Sequence, residues 1–140
     1  MAIDFQAKGE GVYTRNQSDA WVAWSTSGAG PGLASPVAYE GYLYVLNGSV
    51  LKCYESKTGQ RVYEERLPAA GRFAASLVMA GDHLYALDEN GKTFVIQAGP
   101  EFEIKATNEL QDLFWSTRSM TARHLLLRGA DRLYCLSKTP

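Results

Sequence analysis

Cysteine and histidine are scarce in this chain, with two of each among 140 residues. The cysteines, Cys53 and Cys135, lie far apart, and no Cys-x-x-Cys pair occurs, so a metal centre built on soft ligands is excluded. Both are read as small, buried packing residues. Charge of one sign is also missing: 14 basic and 15 acidic residues are well mixed and leave a net charge of −1. That balance excludes the basic footprint of a nucleic-acid binder and the patch that holds a protein on an anionic membrane. No apolar run approaches the roughly 18 residues of a membrane-crossing helix. Met1-Ala2-Ile3-Asp4 has neither a basic start nor an apolar core, so no signal peptide is expected, and the compartment stays open. Long helical periodicity is lacking; the one stretch that could manage a helical turn is Asn108–Leu113. There is no Gly-x-Ser-x-Gly, phosphate loop, His-Glu-x-x-His or calcium-loop motif, so no catalytic class announces itself.

What the chain has instead is alternation and repetition. Apolar residues make up 46% of it, enough for a sizeable core. The stretch from Ser35 to Leu67 reads as four short strands, at Ser35–Tyr39, Tyr42–Leu46, Val50–Tyr54 and Gln60–Arg66. They are separated by Glu40-Gly41, Asn47-Gly48 and Lys57-Thr58-Gly59. Asn-Gly between apolar β-formers predicts a type I′ hairpin turn, which needs positive φ at both central residues. The pattern then recurs. Forty-one residues separate Leu43 from Leu84, and Leu84 from Leu125; Ser35, Ser76 and Thr117 keep the same register. The second copy runs through Phe73–Met79, His83–Asp88, Thr93–Ala98 and Phe102–Thr107. The third has Trp115–Thr121, His124–Arg128 and Arg132–Ser137. Four strands per period of about forty residues is the signature of β-propeller blades, which need stacked copies to bury their faces.

Cys53-Tyr54-Glu55-Ser56-Lys57-Thr58-Gly59-Gln60-Arg61-Val62-Tyr63 resembles the blade motif of the pyrroloquinoline-quinone (PQQ)-like repeat family, Ala-x-Asp-x-x-Thr-Gly-x-x-x-Trp. Thr58 and Gly59 match, while Cys53, Glu55 and Tyr63 stand for the Ala, Asp and Trp. Ser35-Pro36-Val37 and Leu133-Tyr134-Cys135-Leu136 resemble the family's first and third strands. The resemblance covers about residues 20 to 138, with Gly99-Pro100 replacing Thr-Gly in the second copy. It implies an all-β propeller of four-stranded antiparallel blades, about three per chain. The divisions are 1–34 (strands and loop of a partial blade), 35–68, 73–110 and an incomplete blade at 115–138. Ala20–Thr26, with Trp24 where the family's Trp falls, is expected to be the fourth strand of a preceding blade, and Ile3–Ala7 its third. Equivalent positions of separate blades are too far apart for Cys53 and Cys135 to form a disulfide. The family's quinone enzymes hold the cofactor with a Trp platform, an adjacent cysteine pair and calcium-binding acids. No adjacent cysteines occur here, so no PQQ is expected.

In a propeller the loops from fourth to first strand, and from second to third, gather around a central channel. Arg72, Asp88, Asn90, Trp115, Arg118 and Asp131 fall there and form the candidate ligand site. Arg118 is notable because the other copies have Pro36 and Leu77 at its position. Oxygen ligands on such a face could hold Ca²⁺; equally, Asn47, Asp88 and Asn90 are residues that turns favour for their backbone geometry. His83 and His124 align with each other and are read as inherited edge residues. The leading functional reading is a binding or scaffold module. The alternative is a weak hydrolase of esters or phosphoesters, metal-assisted, with its site in the channel. Three blades cannot close a ring, and the third would leave an edge strand unpaired. A homodimer exchanging Ala20–Thr26 between chains, so completing six blades, is the expected assembly, with a small molecule in the channel as the further partner.

Overall fold

In the computed structural model the described residues are 22–30, 32–121 and 123–137, and they fold as three antiparallel sheets without a helix. The first sheet contains β1 (Val37–Tyr39), β2 (Tyr42–Asn47), β3 (Val50–Glu55) and β4 (Arg61–Arg66). The second contains β5 (Val78–Ala80), β6 (His83–Leu87), β7 (Lys92–Gln97) and β8 (Ile104–Glu109). The third has β9 (Ser119–Met120), β10 (His124–Arg128) and β11 (Leu133–Ser137). Each is an up-and-down meander in chain order, as the repeat predicts. Residues expected at Ile3–Ala7, Ala20, Trp21 and beyond Ser137 lie outside the described residues.

The turns follow from backbone chemistry, with one correction. Glu40 and Gly41 both have positive φ, at 44° and 84°, between the paired Tyr39 and Tyr42. That is the type I′ pattern. Asn47-Gly48, where it was expected, does not adopt it. Asn47 pairs with Val50 at the end of the ladder, and only Gly48, at 57°, turns positive. Asn108–Leu113 is not helical either, because Asn108 and Glu109 extend β8.

The innermost strands are shorter than the sequence suggests: β1, β5 and β9 begin at Val37, Val78 and Ser119 rather than Ser35, Phe73 and Trp115. Ser35 and Ser76 have another use for their backbone. Ser35 N–H donates to the Ser76 hydroxyl at 2.9 Å, and Ser76 N–H donates to the Thr117 hydroxyl at 3.0 Å. These repeat-spaced bonds run across the sheets, so the residues leave the ladder of their own blade.

The core lies between the sheets. Tyr44, Leu46, Leu51 and Cys53 of the first pack with Leu77, Leu84, Phe94 and Ile96 of the second. Leu87, Phe114 and Leu127 form a smaller cluster toward the third. Leu84 is fully buried, whereas its repeat mate Leu125 is only half-buried. Cys53 is buried as expected, but Cys135 is exposed. The two hold the same register, Cys53 opposite Tyr44 and Cys135 opposite Leu126. What differs is the environment: the first sheet has the second against it, while Cys135 lies on the third sheet's outermost strand beside the exposed Leu133 and Leu136. The fourth strands, β4 and β8, are mostly exposed and polar.

The Thr58-Gly59 turn has the positive φ expected of a glycine between third and fourth strands. Gly59 has φ 72° and donates its N–H to Glu55 O, while the Thr58 hydroxyl donates to the Glu55 carboxylate at 2.5 Å. Trp24 lies flat against this turn. A Cβ on Gly59 would fall 2.4 Å from the indole, and Trp24 Nε1–H donates to Ser56 O at 2.8 Å. One blade on, Tyr63 of β4 meets Phe102, just before β8, edge to face with ring centres 5.7 Å apart. An aromatic residue thus packs against the β3–β4 turn of the first blade and another against the approach to β8 in the second. The expected strand Ala20–Thr26 is not formed across its described part: Val22 makes a single bridge, Ala23 bends, and Trp24–Thr26 are irregular. A strand needs a ladder partner, and Trp24–Thr26 have none among the described residues.

Candidate ligand-binding face

The second-to-third strand connections (48–49, 88–91 and 129–132) and the fourth-to-first connections (67–77 and 110–118) meet at one end of the sheets. Leu67 N–H donates to Ser49 O at 2.8 Å and Glu89 N–H to Arg72 O at 2.8 Å. This is the face on which the candidate residues were placed, and the structure divides them into three groups.

Asp88 is 1% exposed and works on the backbone. Its Oδ2 accepts the Gly71 N–H at 2.8 Å, and its Oδ1 accepts those of Asn90 at 3.0 Å and Lys92 at 2.8 Å. One carboxylate thus shapes the β6–β7 turn and ties it to the β4–β5 loop. Three backbone N–H groups occupy the oxygens that a cation or a general base would need. The Asn90 amide packs against Gly71, leaving no room for a side chain there, since a Cβ would sit 2.6 Å from Asn90 Nδ2. Asn90 and Arg72 are exposed beside this tie.

The second group belongs to the third blade. Trp115 is 59% exposed and borders a recess of about 270 Å³ with Ser116, Arg128, Gly129 and Ala130. Asp131, also exposed, follows directly. Beneath them Asp112 accepts the Leu113 N–H at 2.7 Å, the Tyr134 hydroxyl at 2.8 Å and the Ala130 N–H at 3.3 Å. Those bonds, the Leu113 N–H first, hold its carboxyl below the ordinary value of 3.8. Arg128 was missed, although the signal was present: the other copies have the buried Leu46 and Leu87 at its position. A charge where the repeat keeps leucine marks a departure, as it does for Arg118.

Arg118 stands alone. It is 4% exposed, and Nη2–H donates to Tyr85 O on β6 at 2.7 Å. Nε and Nη1 are buried without a partner among the described residues. Burial pushes its pKa down to about 10. Its donors have no open path to the face, so Arg118 joins the second and third sheets rather than presenting a charge to solvent. His83 and His124 border a groove that also takes in the β5–β6 and β9–β10 turns, away from these loops, and His83 Nδ1 lies 2.7 Å from Asp82.

Among the described residues no group of three or more His, Cys, Asp or Glu side chains could hold a metal ion. The two cysteines stand apart, Cys53 buried in the first sheet and Cys135 exposed on the third.

Three stacked antiparallel meanders joined at a common loop end define the β-propeller fold. Among solved structures, the chain is similar to the crystal structure of BamB from Moraxella catarrhalis, a β-propeller, with a TM-score of 0.52 at 12% identity. The match covers 71% of this chain and 41% of that one, so the chain spans less than half the length of the protein it resembles. No family model matches the chain, and no curated protein does.

Proposed function

We propose that this chain is a binding and scaffold module of PQQ-like repeat type, and that two copies complete one six-bladed ring whose channel face receives a small-molecule ligand. The observation that carries the reading is Trp24. It packs on the Gly59 turn of the first blade, and the proposal takes its segment as a fourth strand ahead of that blade, ordered as a strand only once paired. Among the described residues the third blade has three strands, and β11 has no partner on its outer edge. A segment without a blade and a blade without its last strand are complementary, and a two-fold axis makes their exchange reciprocal. The exposed Leu133 and Leu136 lie on the strand that would be covered. The ligand face is carried by Arg72, Asn90, Trp115, Arg128 and Asp131, with Asp88 and Asp112 shaping the loops beneath. No residue observation favours hydrolysis over binding.

The test is the solution mass of the full chain by light scattering. Twice the 15.4 kDa of one chain is expected, and removal of residues 1–27 should give aggregates. A monodisperse species of one chain would overturn the ring. The ligand face is tested separately, by an NMR screen that follows the Trp115 indole N–H against small anions and aromatic compounds. A shift of that signal in the wild type that is lost in Arg128→Ala supports the face; hits that move only other signals overturn it.

A further inference from the structure

A groove of about 620 Å³ runs between the second and third sheets, with His83 and Tyr85 on one side and Met120, Arg123, Leu125 and Leu136 on the other. The boundary between the first and second sheets shows what such a groove holds. There Tyr44 accepts the Gly99 N–H through its hydroxyl at 2.7 Å. Ala98, Phe102 and Ile104, from the β7–β8 turn and the start of β8, pack against the cluster around Tyr44. Tyr85 occupies the same place one blade later: it pairs with Val78 and Val95 as Tyr44 pairs with Val37 and Cys53. The first seat is filled by the β7–β8 turn and the approach to a fourth strand, and among the described residues the third sheet has no fourth strand.

We infer that this groove is the seat of residues 18–21 of a second copy, Ser18-Asp19-Ala20-Trp21, the stretch leading into its Trp24 segment. The inference rests on the ring reading above and adds where the exchanged segment enters. Three features of the groove match that occupant. The Tyr85 hydroxyl, placed like that of Tyr44, offers a backbone N–H an acceptor. Met120, Leu125 and Leu136 offer Trp21 an apolar wall, as the surroundings of Tyr63 do for Phe102. Arg123 and His124 line the groove and form no ion pair among the described residues, whereas Asp19 brings a negative charge.

The experiment is cross-linking of the full chain in a Cys135→Ser background, where Cys53 is the one native thiol left and is buried. Thr121→Cys and Ser18→Cys are combined in one chain and oxidised; the control pairs Ser18→Cys with Glu101→Cys, on the turn that already fills its seat. A reducible covalent dimer for the first pair and none for the second is the expected result. A monomeric solution mass overturns ring and seat together. A dimeric mass in which Thr121→Cys and Ser18→Cys link only within one chain, or not at all, leaves the ring and overturns the seat. Tyr85→Phe should also raise the dimer dissociation constant about ten- to hundredfold, the worth of two backbone hydrogen bonds, one at each seat. An unchanged constant would show that no N–H reaches that hydroxyl.

Discussion

The second and third blades tie their loops together with the same two positions and opposite residues. In the second, Gly71 lies on the β4–β5 loop and Asp88 on the β6–β7 turn, and the carboxylate takes the glycine's N–H. In the third, the equivalents are Asp112 and Gly129, the acid now on the other loop, and it takes the N–H of Ala130. Both pairs are tight: a Cβ on Gly71 would meet Asp88 Oδ2 at 3.2 Å, and one on Gly129 would meet Asp112 Oδ2 at 2.1 Å. The geometry needs one carboxylate and one missing side chain, and it is indifferent to which loop supplies which. The blades differ in depth, since Asp88 is fully buried and Asp112 only half-buried.

That contrast can be broken at its core first. Leu84→Ala should cost about 2–5 kcal/mol, the usual range for a buried leucine, whereas Leu125→Ala should cost about 1–2 kcal/mol because less apolar area is lost. Urea denaturation midpoints of the two variants decide it, and equal losses would mean that the third blade is as well covered as the second.

The loop tie comes next. Asp88→Ala leaves buried backbone N–H groups without acceptors and should cost about 1–3 kcal/mol. Asp112→Gly should cost less. The exchange itself is the sharper test: Asp112→Gly combined with Gly129→Asp rebuilds the second blade's arrangement in the third. The double variant should be more stable than either single one in thermal melts, and additive losses would show that the two positions are not interchangeable.

A smaller effect is expected with pH. The Asp112 carboxyl is held below 3.8 by the Leu113 N–H and the Tyr134 hydroxyl. A depressed folded-state value means its contribution is complete above about pH 4 and is lost as pH falls through the lowered value. Asp112→Asn should therefore differ from wild type by a constant amount between pH 5 and 7, roughly the range where carboxylates are ionised. The difference should shrink on acidification; one that grows would reverse the assignment.

The smallest effect is chemical. Cys135 should react with a thiol reagent in the native protein, while Cys53, whose thiol burial pushes up to about 11, should react only on unfolding. Labelling followed by mass spectrometry checks both. In the closed ring Cys135 should slow as the concentration of chain rises.

The sheets were readable because their determinants are local. Turn residues at Glu40-Gly41 and Gly81-Asp82 and the spacing of Leu43, Leu84 and Leu125 suffice to place the hairpins. What escaped depends on neighbours across blades. Cys135 repeats Cys53 in sequence but has no sheet covering it among the described residues. The first strands are shortened by hydroxyls forty-one residues away, which no local pattern carries. Of the site residues, Asp88 was placed on the correct loop, but its partner is the backbone of residue 71, so its type could be read and its occupation could not. Arg118 was singled out correctly as the odd residue of its column, yet the same logic applied to Arg128 and was not followed to it.

The hydroxyl bonds at Ser35, Ser76 and Thr117 all point one way, from each blade's N–H to the next blade's side chain. The stack of blades is therefore polar, like a row of magnets laid end to end. Among the described residues, the Ser35 hydroxyl at one end has no incoming donor and the Thr117 N–H at the other has no acceptor. Two third blades brought face to face would set donor against donor, whereas a head-to-tail meeting would give the Thr117 N–H the Ser35 hydroxyl. A single small side chain per repeat thus gives the row of blades a direction.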